Sequence, residues 1–127
     1  MIILAAPSGA GKSSFVDKIT QEIPRLRDTI TYTTRPMRAG ESEGIPYHFV
    51  TKERFEQLRN QNFFVEYAIV HNNLYGTPMH QLTDAWERDE VIIMDVDVQG
   101  ADTFKRKFPD AVTVFILPPS IDELRRR

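Results

Sequence analysis

The sequence predicts an α/β fold in which helices flank a parallel β-sheet and a small mixed β subdomain is inserted into the chain. Near both ends, short apolar runs alternate with stretches of helical periodicity, which is typical of parallel strands joined by helices. The middle of the chain instead carries closely spaced Pro, Gly and Asn residues, which indicate short strands and turns. We therefore expect residues 1–33 and 80–127 to form the core and residues 34–79 to form the insertion.

The elements follow in order from apolar periodicity and turn residues. An uninterrupted apolar run at 2–6 predicts a buried strand, and apolar residues at helical spacing predict a helix between Gly11 and Pro24. Thr51 is a candidate helix N-cap, and Ser120 with Glu123 forms a candidate capping box. The remaining predicted elements are strands at 29–33, 47–50, 63–69, 91–94 and 111–117, and helices at 51–60, 80–88, 99–107 and from 120 onward.

Composition excludes several classes of function. The 127 residues include 16 Lys and Arg against 18 Asp and Glu, so the chain lacks the broad basic surface that sequence-independent nucleic-acid binding requires. It contains no cysteine, which excludes disulfides, thiolate metal sites and cysteine nucleophiles. The apolar start is too short for a signal-peptide core or a membrane span. We therefore expect a cytoplasmic protein that binds neither nucleic acid nor membrane.

A glycine-rich segment joins the first predicted strand to the first helix. Ala6-Pro7-Ser8-Gly9-Ala10-Gly11-Lys12-Ser13 matches the phosphate-loop pattern G-x-x-x-x-G-K-[ST], except that Ala replaces the first Gly. An ordinary strand-to-helix turn with a surface lysine is the alternative, but the flanking strand and helix favour a fold of the P-loop NTPase type, in which such a loop binds ATP phosphates. The expected phosphate-binding residues are Ser8, Gly9, Ala10, Gly11, Lys12, Ser13 and Ser14.

Asp95 ends the predicted strand at 91–94, where P-loop enzymes place an acidic residue near Mg²⁺. Together with the Ser13 hydroxyl, it forms the expected metal site for Mg²⁺ bound with ATP. The alternative role for Asp95 is to cap the turn that follows the strand.

Further motifs follow the glycine-rich loop in a fixed order. They are Thr33-Thr34-Arg35-Pro36-Met37-Arg38 with Gly40-Glu41, Gly44-x-x-Tyr47-x-Phe49, Phe64-Val65-Glu66-Tyr67, Tyr75-Gly76-Thr77-Pro78 and Asp95-Val96-Asp97-Val98-Gln99-Gly100. Their joint occurrence strongly resembles the guanylate kinases, over the whole of residues 1–127. The resemblance implies transfer of the ATP γ-phosphoryl group to GMP, giving ADP and GDP, with Mg²⁺ accompanying ATP.

The resemblance also implies an acceptor site in the inserted subdomain. Its expected residues are Arg35, Arg38, Tyr47 and Tyr75 around the GMP phosphate, and Thr31, Glu66, Thr77 and Asp97 facing the base. The chemistry agrees, because two nearby arginines can bind a phosphate through forked hydrogen bonds, and one carboxylate can accept from both N1–H and N2–H₂ of guanine. Lys12, Arg35 and Arg38 are the expected catalytic residues. Taken singly, the arginines would be interpreted as solvated charges and the tyrosines as half-buried strand residues.

Two alternative functions remain open. One is a non-catalytic guanylate kinase-like binding module, although such modules typically lack the glycine-rich loop that is present here. The other is a P-loop kinase for a different nucleotide, which Glu66, Thr31 and Asp97 disfavour. Guanylate kinases also continue beyond the region matched here into an arginine-bearing lid. We therefore expect GMP binding with weak or absent turnover from residues 1–127, and an open sheet edge that would allow self-association.

Overall fold

The computed structural model describes residues 1–7, 10–96, 98–117 and 119–126, and the chain divides into two compact units. The first unit consists of Met1–Asp28 and Ala85–Arg127, and the second of Thr29–Asp84. The second unit thus begins before and ends after the predicted insertion at 34–79. In chain order, the elements are β1 (Ile2–Ala5), α1 (Lys12–Glu22), β2 (Leu26–Asp28), β3 (Tyr32–Thr33), β4 (His48–Phe49), α2 (Lys52–Asn60), β5 (Phe64–Val70), β6 (Asn73–Pro78), α3 (Met79–Glu87), β7 (Val91–Val96), α4 (Val98–Lys107), β8 (Val112–Phe115) and α5 (Ile121–Arg126).

The first unit contains a parallel four-stranded sheet in the order β2-β7-β1-β8. Its two central strands, β1 and β7, are the most apolar, and Ile3, Leu4 and Ile93 are almost fully buried. This confirms the predicted α/β class. β8 is an edge strand of the described sheet, with Val112 and Phe115 59% and 60% exposed.

One strand prediction was wrong. Within the predicted strand at 29–33, only Tyr32 and Thr33 form a strand, β3, which pairs with β4 and β6. The strand before it, β2, was not predicted, and it pairs with β7 in the other sheet. Leu26 is the only buried residue of β2, and Arg27 and Asp28 are exposed. A three-residue strand with one buried side chain has no detectable alternation, so apolar periodicity could not reveal it.

The second unit contains a mixed sheet in the order β4-β3-β6-β5. β3 and β4 are parallel, whereas β6 is antiparallel to both β3 and β5. The sequence did not predict β6, because Asn73 and Gly76 resemble turn residues. The hairpin turn instead lies at His71 and Asn72, whose φ angles are 48° and 65°. Gly76 lies within the strand, and glycine suits this position because a Cβ there would approach the Phe64 ring to 2.7 Å.

The helices form close to where the sequence predicts them, and their ends carry the expected caps. The Thr51 hydroxyl accepts the Arg54 N–H at 3.1 Å at the start of α2. The Ser120 hydroxyl accepts the Glu123 N–H at 3.0 Å before α5. None of the helices among the described residues has the length and apolarity that crossing a membrane requires.

Candidate functional site

The glycine-rich loop leads from β1 into α1 within the first unit. Gly11 precedes the helix with φ 88°, a left-handed conformation that glycine adopts without strain. Ala6 does not have a positive φ, so the Ala that replaces the first Gly of the pattern introduces no strain. Lys12 donates from Nζ to the carbonyl oxygens of Ala6 at 2.8 Å and Pro7 at 3.4 Å. The lysine ammonium therefore lies against the backbone of the loop.

The other described residues of the predicted phosphate loop lie just before α1 or in its first turn. Ala10 is buried, whereas Ser13 and Ser14 are exposed in the first turn. Such a helix N-terminus directs unpaired backbone N–H groups outward and favours anions. Ser8 and Gly9, also predicted to bind phosphate, lie outside the described residues.

Ser13 and Asp95, the predicted metal site, are adjacent in the structure. The Ser13 hydroxyl donates to Oδ2 of Asp95 at 2.8 Å, which joins the first turn of α1 to β7. Hydroxyl and carboxylate oxygens are ligands that Mg²⁺ accepts. Within the described residues, no group of three or more His, Asp or Glu side chains could hold a metal ion alone. The oxygen donors of this pair are compatible with Mg²⁺ as part of a ligand set.

Strand register collects several predicted acceptor residues on one face of the mixed sheet. Glu66 lies opposite Thr77, and Tyr75 lies opposite Thr33. Because alternate residues of a strand share a face, Tyr75 and Thr77 lie on the same side of β6. The Thr31 carbonyl accepts the His48 N–H at 3.0 Å, so β3 pairing continues back to Thr31, two positions before Thr33. Gly76 and Phe64 belong to the opposite face.

Arg35 follows β3 and makes contacts through both its backbone and its guanidinium. The buried Thr33 hydroxyl accepts the Arg35 backbone N–H at 3.1 Å. The guanidinium forms an ion pair with Glu41 and lies 5.3 Å from the Tyr47 ring centroid and 5.6 Å from that of Phe49. The hydrogen bond to Glu41 raises the pKa of Arg35, although burial acts in the opposite direction. The guanidinium therefore lies beside two aromatic rings and is paired with Glu41.

The two predicted phosphate-binding tyrosines lie beside this arginine. Their rings, Tyr47 and Tyr75, meet edge to face with centroids 5.9 Å apart. The Tyr75 phenol also contributes to the raised pKa of Arg35. The structure thus brings Arg35, Tyr47 and Tyr75 together as one cluster.

Arg38, the second predicted arginine, behaves differently. Its side chain is exposed and, within the described part of the chain, forms no ion pair. Its backbone N–H donates to Oε2 of Glu41 at 2.8 Å. Asp97, predicted to face the base, lies outside the described residues.

Glu41 and the Thr33 hydroxyl are two functional groups for which the sequence predicted no role. Both lie in the motif around Arg35, and both bond directly to that residue. An acidic residue close to two arginines was the available signal for Glu41. For Thr33, the signal was absent, because a buried threonine in a β-branched run is expected from strand propensity alone.

The family model, the curated relatives and the solved structure that match this chain are all guanylate kinases. The family model described as "Guanylate kinase" matches residues 1–127. The guanylate kinase of Bdellovibrio bacteriovorus is 60% identical over the whole chain, which covers 69% of that relative. The guanylate kinase of Syntrophotalea carbinolica is 46% identical, and the chain covers 60% of it. The crystal structure of guanylate kinase from Anaplasma phagocytophilum superposes with a TM-score of 0.83 at 34% identity, covering the whole of this chain and 64% of that one.

The chain therefore spans between 60% and 69% of the length of these curated relatives. The match includes the glycine-rich loop, the arginine cluster and both sheets, since it extends over every residue of the chain. The chain belongs to the guanylate kinase family.

Proposed function

We propose that the protein transfers the γ-phosphoryl group of ATP to GMP, giving ADP and GDP. The observation that carries the proposal is the register of the mixed sheet, which gathers Glu66, Thr77, Tyr75 and Thr31 on one face. This face supplies polar groups for a purine base, and Arg35, which follows β3, supplies a cation for the phosphate. Family membership supports the same activity.

Glu66 is proposed to select guanine. An ionised carboxylate only accepts hydrogen bonds, and guanine presents two adjacent donors, N1–H and N2–H₂. Adenine has an acceptor at N1, so one carboxylate oxygen would face a lone pair. Thr77, directly opposite Glu66 in the ladder, adds a hydroxyl beside the carboxylate. A site designed for hydrogen bonding rejects a ligand that leaves its polar groups unpaired.

Arg35, Arg38, Tyr47 and Tyr75 are proposed to bind the GMP phosphate. Arginine is suited to this because its planar fork matches phosphate oxygens. Arg35 is fixed beside both tyrosine rings, and the exposed Arg38 side chain is available to close over the phosphate. Together, the arginines would offset the repulsion between the phosphates of the acceptor and the donor.

The loop around Lys12 is proposed to bind ATP. Lys12 would exchange the loop carbonyls for phosphate oxygens, and Ser13 with Asp95 would hold Mg²⁺ directly or through water. When bound, Mg²⁺ neutralises charge on the transferred group. The GMP phosphate is already a nucleophile, so the protein residues act by alignment and charge stabilisation rather than by covalent chemistry.

Neither alternative function has a specific observation in its favour. A non-catalytic binding module has no need for the Lys12 loop or for the Ser13–Asp95 pair, both of which are intact here. A kinase for another nucleotide would not need a carboxylate at the Glu66 position. We also propose a cytoplasmic location, since the chain has no cysteine that an oxidising compartment would pair.

Calorimetric titration with GMP and AMP tests the substrate assignment. We expect the protein to prefer GMP, and Glu66→Gln to weaken GMP binding by about 10- to 100-fold while leaving AMP binding nearly unchanged. Glu56→Gln is the matched control, because Glu56 is a similarly half-exposed carboxylate that pairs with Arg59 on α2. Equal affinity of the unmodified protein for GMP and AMP would refute the assignment.

A further inference from the structure

Glu41 contacts Arg35 through both carboxylate oxygens. Oε1 accepts from Nη2 at 2.8 Å and Oε2 accepts from Nη1 at 3.1 Å, and the two side chains are only 17% and 10% exposed. Nη1 also donates to the carbonyl oxygen of Pro36 at 2.9 Å. Both terminal nitrogens of the guanidinium therefore donate hydrogen bonds to residues of the same loop.

This arrangement determines which part of Arg35 faces away from Glu41 and Pro36, where Tyr75 also hydrogen-bonds to the guanidinium and would lie beside a bound ligand. The three bonds use both hydrogens of Nη1 and one hydrogen of Nη2. The remaining Nη2 hydrogen and Nε–H lie on one edge of the planar group and point in nearly the same direction. That edge is the second fork with which an arginine binds two oxygens of one phosphate.

Glu41 also fixes the backbone at Arg38. Its Oε2 accepts the Arg38 N–H at 2.8 Å, and its own N–H donates to the Arg38 carbonyl at 3.1 Å. One carboxylate thus connects the guanidinium of the first arginine to the backbone that carries the second. The rings of Tyr47 and Phe49 also lie within 6 Å of the guanidinium, and such cation–π contacts favour this position of the group.

We propose that Glu41 is a positioning residue for phosphate recognition, one that holds Arg35 by its terminal end so that its Nε–Nη2 edge receives the acceptor phosphate. The inference rests on the proposed function of this cluster as the GMP phosphate site. Glu41 does not touch the nucleotide in this arrangement. It acts through the Arg35 guanidinium and through the backbone of Arg38.

A competing role makes the opposite prediction. If the Glu41 carboxylate occupied the place of the phosphate, GMP would have to displace it, and its removal would strengthen GMP binding. If Glu41 positions Arg35, its removal weakens the binding of ligands that carry a phosphate and leaves ligands without one unaffected.

The test compares GMP with guanosine by calorimetric titration in Glu41→Gln. We expect GMP affinity to fall by about tenfold or more, because the arginine loses its alignment, and guanosine affinity to change by less than about twofold. A general loss of structure would weaken both ligands, so the ratio of the two affinities distinguishes positioning from folding.

Glu43→Gln is the matched control. Glu43 lies in the same loop, accepts a backbone N–H from Phe49 at 2.9 Å and pairs with His48 at 2.7 Å, but does not contact Arg35. We expect its GMP-to-guanosine ratio to match that of the unmodified protein. If Glu41→Gln does not fold, Glu41→Asp gives the same comparison, because it keeps the charge and withdraws the carboxylate by one methylene.

The outcomes separate the two proposals. An unmodified protein that does not prefer GMP over AMP refutes the proposed function. An unmodified protein that does prefer GMP, combined with an unchanged or increased GMP-to-guanosine ratio in the Glu41 variant, refutes only the positioning role. A reduced ratio in the Glu41 variant and a normal ratio in the Glu43 control support the inference.

Discussion

The two proposed phosphate-binding regions are constructed in different ways. The loop around Lys12 follows a buried parallel strand, exposes Ser13 and Ser14, and directs backbone N–H groups from a helix terminus. The cluster around Arg35 consists of side chains, in which an ion pair and two aromatic rings enclose a nearly buried guanidinium. The first region depends on the path of the backbone, whereas the second depends on side-chain packing and strand register.

This difference indicates how each region tolerates substitution. Backbone N–H groups survive most side-chain changes, so in the Lys12 loop only a few residues should matter. In the mixed sheet, a residue that never touches a ligand can still matter, because it sets the position of one that does. Gly76 and Glu41 are examples of such residues.

Among substitutions that test this difference between the two regions, Lys12→Met should have the largest effect. We expect MgATP affinity to fall by about 10- to 100-fold, since a charge-assisted contact to phosphate is lost, while GMP affinity stays the same. Calorimetric titration of both ligands measures this. Lys18→Met, at an exposed position of α1, is the control and should change neither affinity. A comparable loss of GMP affinity in Lys12→Met would show that the two regions are not independent.

The second largest effect is expected from a substitution in the mixed sheet, Gly76→Ala. Gly76→Ala places a Cβ 2.7 Å from the Phe64 ring, so we expect it to lower the free energy of unfolding by about 1–3 kcal/mol. GMP affinity should fall as well, because Tyr75 and Thr77 flank the altered residue. Urea denaturation and titration measure the two quantities. Adding Phe64→Leu should restore part of the stability, and MgATP affinity should remain unchanged throughout; the absence of rescue would argue against the steric cause.

The smallest effect concerns pH. The pKa of Glu41 is lowered by its hydrogen bond from Arg35 and then by that from the Arg38 backbone. A carboxyl whose pKa is lower in the folded state stabilises that state above its ordinary pKa of 4.5, and the stabilisation is lost as the pH falls through the lowered folded value. We therefore expect the stability difference between the unmodified protein and Glu41→Gln to be constant at neutral pH and to disappear in strong acid.

Urea denaturation at a series of pH values measures this difference. Glu43→Gln should behave similarly, since hydrogen bonds from the Phe49 backbone and then from His48 lower the pKa of Glu43. A stability difference that persists unchanged into strong acid would mean that Glu41 acts through packing rather than through its charge.

Features that depend on local sequence could be predicted, whereas features that depend on packing between distant segments could not. The strands β1 and β7, the helix after the glycine-rich loop and the Thr51 cap could be predicted, because each has a local signal in periodicity or capping residues. The strand β2 could not be predicted, since only Leu26 is buried in it. The strand β6 was hidden by Asn73 and Gly76, whose role in a strand becomes clear only when Phe64 is packed against it.

The sequence by itself determined the α/β class, the Lys12 loop and the family resemblance, because these are recorded in local order and spacing along the chain. The tertiary structure decided which side chains meet. It placed Glu66 opposite Thr77, separated β2 from β3, and joined Glu41 to Arg35. Strand register and ion pairing between residues in loops depend on how distant segments pack, and no local pattern in the chain specifies them.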